Sequence, residues 1–154
     1  MCSSDLAELQ YMSWQVHSNH APMDERDAEL FNDSLERCTS RPGFLEHFYE
    51  TLMTESPEAA EKLRHTDIKK QALMLKASLY MLMLAGKPEA EKHLKRIASI
   101  HSRRGRDIRP ELHDVWLECL LRTVREFDPQ FDPHIEAAWR RTLRPGIEFI
   151  KSKY

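Results

Sequence analysis

Residues 93–105 read HLKRIASIHSRRG, a stretch that combines a helical pattern with a helix stop. The apolar side chains at the spacing of one helix face are Leu94, Ile97 and Ala98. His101 falls on the same face, and Gly105 is placed to end the helix. The stretch predicts a helix over about residues 88–104. Its histidine points towards the core, or towards something held between this helix and the preceding one.

Similar patterns and stop signals divide the rest of the chain into helices joined by short links. The predicted helices cover about residues 24–39, 44–55, 57–63, 67–85, 88–104, 110–127 and 133–151. Ser56-Pro57 and Asp132-Pro133 each read as a capping side chain followed by proline in the first turn. Pro145-Gly146 is a point where the last helix could bend. Because no segment alternates as a strand does, the chain is predicted to be all-α.

Length and composition limit the function classes. A chain of 154 residues suits one domain with one core, and a net charge of -2 implies no broad basic surface for nucleic acid. The longest apolar run, SLYMLMLA, is too short to cross a bilayer. The odd set of distant cysteines is Cys2, Cys38 and Cys119, which we read as free thiols in a reducing compartment. We therefore expect a cytoplasmic protein with no nucleic-acid or membrane partner.

Three polar side chains on apolar faces are candidates for chemistry, and each also has an ordinary interpretation. His101 is a potential metal ligand, although a lone inward histidine is more often a hydrogen-bonded core residue. Gln71 lies among aliphatic side chains, either at the rim facing water or buried with a partner. Tyr49 carries a phenol that ordinarily reaches water at its tip. Motifs of zinc proteases, serine hydrolases and phosphate-binding loops do not occur.

Four segments, taken in order, resemble bacterial single-domain globins. They are GFLEHFYETLMTESPEAAEKL (43–63), TDIKKQALMLKASL (66–79), IHSRRGRDIRPELHDVWLECLL (100–121) and AAWRRTLRPGI (137–147). The resemblance covers about residues 24–154, the globin domain, and leaves residues 1–23 as an N-terminal extension. It implies a three-over-three helical sandwich that encloses a b-type haem, iron protoporphyrin IX. The chain has no C-x-x-C-H motif, so this haem is not expected to be covalently attached.

The resemblance also implies roles for particular residues. His101 would be the proximal iron ligand, and Gln71 would face the opposite, distal side. Tyr49 and Gln71 together would donate hydrogen bonds to a diatomic ligand. The remaining residues expected to contact the haem are Phe48, Leu63, Leu75, Ile97, Ile108 and Leu112.

Two positions depart from the family pattern. Leu63 stands where most globins place a phenylalanine against the haem, unless the register slips by one to Arg64. His113, in ELHD, replaces a tyrosine that related bacterial globins often carry. In flavohaemoglobins that tyrosine and a glutamate make the iron ligand more basic, and the tail IEFIKSKY offers no matching glutamate. We expect His113 to be a surface residue rather than a substitute for the tyrosine.

The resemblance favours a protein that reversibly binds dioxygen or another diatomic gas, NO or CO, as a carrier or scavenger rather than as an enzyme. Nitric-oxide dioxygenase or peroxidase activity with a separate reductase stays open, as does a haem-based gas sensor. A further alternative is a helical interaction module without haem. A monomer and a homodimer are both compatible with the sequence.

Overall fold

The computed structural model describes residues 25–82 and 88–154, and within these ranges it contains seven α-helices and no strand. In chain order the helices are α1 (Glu25–Thr39), α2 (Phe44–Glu55), α3 (Pro57–Leu63), α4 (Ile68–Leu82), α5 (Pro88–His101), α6 (Pro110–Phe127) and α7 (Pro133–Ser152). The predicted all-α class is confirmed. The predicted N-terminal extension lies outside the described residues. None of these helices is both long enough and apolar enough to cross a membrane.

Capping side chains begin α3 and α7 as predicted. The hydroxyl of Ser56 accepts a hydrogen bond from the backbone N–H of Ala59 at 3.1 Å. The carboxylate of Asp132 accepts one from the N–H of Ile135 at 2.8 Å. Each cap satisfies a donor that the first helical turn leaves without a partner, which stabilises a helix by about 1 kcal/mol.

The end of α5 differs from the prediction. The helix stops at His101 rather than near Arg104, because the chain turns back over the helix end. The N–H of Arg106 donates to the carbonyl oxygen of Ile100 at 2.7 Å. A β-carbon added at Gly105 would lie 2.3 Å from that same oxygen, so a residue with a side chain does not fit this turn. Glycine therefore permits the tight turn that leaves the histidine at the last helical position.

Long-range packing brings sequence-distant helices together. α1 packs on α7, α2 packs on α6 and α4, and α5 contacts both α7 and α4. The largest fully buried side chains are Trp139, Phe31, Phe48, Leu35, Leu79, Leu94, Leu120 and Leu143. Helices α2, α4, α5 and α6 are consequently neighbours around one part of the core, where the candidate site lies.

Helix α7 continues through Pro145 as one helix, at the place where the sequence allowed a bend. The next residue, Gly146, faces the side chains of Leu82 and Leu94. A β-carbon there would lie 3.0 Å from a methyl of Leu82 and 3.2 Å from one of Leu94. The missing side chain therefore lets α7 approach α4 and α5 closely.

Candidate functional site

His101 lies at the last position of α5 and is half-buried. The face below it is apolar, with Leu94 and Ala98 buried and Ile97 half-buried. The ring nitrogen Nδ1 is buried, and no hydrogen-bond partner reaches it among the described residues. At Nδ1, the described residues therefore do not supply the hydrogen bond that an ordinary core histidine makes.

Burial, with smaller contributions from the nearby His113 and Arg106, lowers the pKa of His101 to about 4. The imidazole is consequently neutral at pH values near 7. A neutral imidazole has a lone pair on one ring nitrogen, which is the form that binds a metal ion. The same ring is a poor proton donor in this pH range.

His113 is buried, so the expectation that it lies on the surface is wrong. His113 is 8% exposed, and its ring stacks on that of His101. The ring centroids are 5.4 Å apart and the ring planes are inclined by 29°. The residue sits in the first turns of α6, which the tight turn after α5 carries back beneath the helix end. Burial and the nearby ammonium of Lys151 lower the pKa of His113, so both rings are held neutral.

Tyr49 and Gln71 come together from α2 and α4. Tyr49 is 4% exposed, so its phenol does not reach water as an ordinary surface tyrosine would. Burial raises the pKa of Tyr49 to about 12, although a hydrogen bond with the Gln71 side chain acts in the opposite direction. The two polar side chains that the sequence marked among apolar neighbours are thus each other's partners.

Apolar side chains surround the pair. Phe48 is fully buried, with its ring edge-on to Tyr49 at 4.9 Å and to Trp116 at 5.7 Å between centroids. Leu75 is buried one turn after Gln71, and Leu63 packs against the same core from the end of α3. Arg64 is exposed and pairs with a glutamate, so Leu63 rather than Arg64 is the inward residue of that corner.

Two further residues that the sequence predicted to contact haem lie at the start of α6 and in the turn before it. Leu112 is 8% exposed, and Ile108 packs against the core cluster that contains Leu112. The N–H of Ile108 donates to the carbonyl oxygen of His101 at 2.9 Å, which closes the turn. Of the residues predicted from sequence, Phe48, Tyr49, Leu75 and Leu112 belong to one core cluster, with Leu63 and Ile108 packed against it.

Side chains that the sequence pattern did not single out hold the turn after His101. Lys62 donates to the carbonyl oxygen of Arg106 at 3.0 Å. Arg109 forms a two-point ion pair with Glu58, at 2.6 and 2.9 Å. The hydroxyl of Tyr154 donates to the carboxylate of Asp107, a residue whose backbone adopts the left-handed region with φ 52°. These contacts join residues 44 to 51 positions apart, which periodicity within one helix cannot reveal.

In the described part of the chain, no three His, Cys, Asp or Glu side chains are grouped so that they could hold a metal ion among themselves. His101 therefore stands as a single potential ligand. Such a residue suits a metal whose other ligands come with a prosthetic group.

A solved structure resembles this chain over most of its length. It is that of a protein from Pseudomonas aeruginosa PAO1 described as structurally highly homologous to a human hemoglobin. The sequences are 35% identical, and the TM-score is 0.79. The match covers 83% of this chain and 98% of the other. No protein-family model and no curated protein sequence matches. With this identity across nearly the whole of its relative and the same helical fold, the chain belongs to the family of globin-like proteins.

Proposed function

We propose that this protein binds haem b non-covalently, with His101 as the protein ligand to the iron, and that it reversibly takes up dioxygen. NO and CO are further ligands of the same site. The observation that carries the proposal is His101 itself: a half-buried, neutral imidazole at a helix end, above an apolar helix face, with no hydrogen-bond partner at its buried Nδ1 among the described residues.

The donor set fits the group. An imidazole whose pKa is about 4 needs no deprotonation to bind a metal near neutral pH. A single histidine from the protein is sufficient when the porphyrin itself supplies the other ligands of the iron. When bound, the haem supplies an iron atom that takes a diatomic gas as a further ligand. Every other property of the proposed site comes from the chain.

Tyr49 and Gln71 are the proposed hydrogen-bond donors to the gas ligand. Because burial raises the pKa of Tyr49 to about 12, the phenol keeps its proton throughout the physiological range. A protonated phenol and an amide N–H both favour a ligand that carries partial negative charge. In surroundings with little water, such hydrogen bonds are stronger than they would be at the surface.

The apolar residues exclude water from this region. Phe48, Leu75 and Leu112 are buried, and Leu63, Ile97 and Ile108 are half-buried. Apolar walls favour a large flat ligand such as a porphyrin, since its burial removes apolar surface from water.

Reversible binding is favoured over oxidative chemistry by the surroundings of His101. An iron ligand becomes more basic when a carboxylate or a similar acceptor takes a hydrogen bond from its second nitrogen. Here Nδ1 has no such acceptor among the described residues. The proposed ligand is therefore a plain neutral imidazole, which suits reversible uptake of a gas.

The test is haem uptake by the purified protein. We expect added hemin to produce a Soret band that His101→Ala abolishes. The matched control is His93→Ala, which removes another half-buried histidine of α5 whose ring bonds to Ser78 at 3.1 Å. This variant should keep the band. A protein that takes up no hemin, or a band unchanged in His101→Ala, would contradict the proposal.

A further inference from the structure

Two histidine rings are stacked, that of the half-buried His101 at the end of α5 and that of the buried His113 in the first turns of α6. The ring centroids of His101 and His113 are 5.4 Å apart, and the planes are inclined by 29°. His113 is 8% exposed, so little of its surface reaches solvent. The contact between the rings is therefore part of the packed interior.

No hydrogen bond accompanies this contact at the buried nitrogen. Nδ1 of His101 has no partner among the described residues, and the neighbouring ring of His113 does not supply one. The charged groups next to His113 are engaged with each other, since Lys151 donates to Asp114 at 3.1 Å. A buried ring nitrogen without a partner is unusual in a folded protein and calls for an explanation.

Stacking and hydrogen bonding orient an imidazole in different ways. A hydrogen bond from Nδ1 fixes the rotation of the ring and increases electron density on the other nitrogen. A flat neighbour restricts the tilt and position of the ring by contact and withdraws no proton-bearing nitrogen into a hydrogen bond. The two modes therefore predict different responses when the nitrogen atoms of the neighbour are removed and its flat shape is kept.

We propose that His113 is the positioning residue of His101: it orients the His101 ring by stacking against it and accepts no hydrogen bond from Nδ1. This inference rests on the proposed function in one respect, that the oriented ring is the one that binds haem iron. It explains why a histidine can stand where related globins often carry a tyrosine. The shape of the ring is what the position requires.

The test compares His113→Phe, which keeps a flat ring without nitrogen atoms, with His113→Ala, which removes the ring. Resonance Raman spectra of the ferrous, gas-free protein report the iron–histidine stretching band, and transfer of haem to an apo-protein acceptor reports haem loss. We expect His113→Phe to retain the wild-type band and rate. In His113→Ala we expect a broadened band and haem loss on the order of 10-fold faster, as for other changes next to a metal ligand.

The control is His134→Ala, which removes an exposed histidine of α7 and should change neither readout. The inference is overturned if His113→Phe shifts the band and accelerates haem loss as strongly as His113→Ala, since a nitrogen atom would then matter. It is also overturned if His113→Ala behaves like the wild type. His113→Phe keeps the comparison decisive if the alanine variant does not fold.

A readout without haem separates this inference from the proposed function. In the haem-free protein, NMR should detect close contacts between ring protons of His101 and His113, and these contacts should disappear in His113→Ala. The absence of these ring contacts in the wild type would overturn the inference, whether or not the protein takes up hemin. Failure of the wild type to take up hemin, with the ring contacts present, would instead overturn the proposed function and leave the packing role in place.

Discussion

At the scale of single residues, burial changes the chemistry of Tyr49, whose phenol meets the Gln71 side chain in the proposed site. The side chain is 4% exposed, and burial raises its pKa to about 12. An ionised phenol could only accept hydrogen bonds, whereas the neutral phenol can donate one. Together with the Gln71 amide, it places two donors among apolar side chains, where the strength of a hydrogen bond is greatest.

Replacing Tyr49 with phenylalanine should accelerate dioxygen release. The change keeps the ring and removes the donor, so the bound ligand loses one hydrogen bond and little packing. A hydrogen bond to a group carrying charge contributes about 1.5–3 kcal/mol, which corresponds to roughly 10- to 100-fold in the dissociation rate. Stopped-flow displacement of dioxygen by CO measures this rate.

The control for that experiment is Tyr80→Phe, a tyrosine of α4 that is half-buried against the same core. It should release dioxygen at the wild-type rate. An unchanged rate in Tyr49→Phe would remove the phenol from ligand stabilisation and leave Gln71 as the only proposed donor.

At the scale of the elements, one buried carboxylate links two helices to the turn between α6 and α7. Asp128 is 2% exposed and accepts hydrogen bonds from Ser34 at 2.6 Å and from Arg37 at 2.7 and 3.0 Å. The indole N–H of Trp139, on α7, donates to the Ser34 hydroxyl at 2.9 Å. The backbone N–H of Gln130 donates a hydrogen bond to the same carboxylate at 2.9 Å, which closes the turn. This network aligns α1 and α7 at one end of the core.

Asp128→Asn should destabilise the fold at neutral pH by about 3 kcal/mol, because the Arg37 guanidinium loses its charged partner within a partly buried network. Urea unfolding at about pH 7, compared with the wild type, measures the difference. Asp132→Asn is a suitable control because asparagine also caps a helix well. A difference no larger than in this control would contradict the expected role of the network.

The contribution of Asp128 should depend on pH in a defined direction. Burial alone would raise the pKa of this carboxyl, but the hydrogen bonds from Arg37, Ser34 and Gln130 outweigh it and hold the pKa below the ordinary value of 3.8. The stabilisation is therefore fully present above that value and is lost as the pH falls through the lower folded-state pKa. The difference in unfolding free energy between the wild type and Asp128→Asn should accordingly shrink on acidification below about pH 3.8.

At the scale of the whole molecule, the proposed ligand should stabilise the fold. A ligand that binds only the folded chain adds about 4 kcal/mol when its concentration is a thousand times its Kd. For a domain of this length the corresponding rise in Tm is about 10 °C. Thermal unfolding followed by circular dichroism, with and without hemin, measures it. The rise should be absent in His101→Ala; an equal rise in that variant would mean that hemin binds elsewhere.

Most helix limits follow from local signals. Ser56 and Pro57 begin α3, and Asp132 and Pro133 begin α7, because capping and proline geometry act within one turn. The end of α5 was predicted three residues late, since the tight turn depends on backbone hydrogen bonds that no side-chain pattern records. The predicted limits of α6, residues 110–127, agree with the structure. Pro110 and Asp128 stand at the two ends of a stretch in which apolar residues keep helical spacing without a break.

The candidate site was predictable only in part. Helical spacing places His101, Gln71 and Tyr49 on apolar faces, and in the structure Tyr49 is buried while His101 and Gln71 are half-buried. The surroundings of His113 were misjudged because spacing within α6 does not say which neighbouring helix covers that turn. Its neighbour, His101, lies on another helix and reaches it only through the turn after α5.

The sequence by itself determined the all-α class, most of the helix limits and most of the inward-facing side chains, His113 excepted, because caps, prolines and apolar spacing act over a few residues. Only the tertiary structure decided which inward side chains meet. The stacking of His113 on His101, the pairing of Tyr49 with Gln71 and the linking of α1 to α7 through Asp128 all depend on how helices cross. Helix crossing is set by the packing of whole faces, which no single stretch of sequence contains.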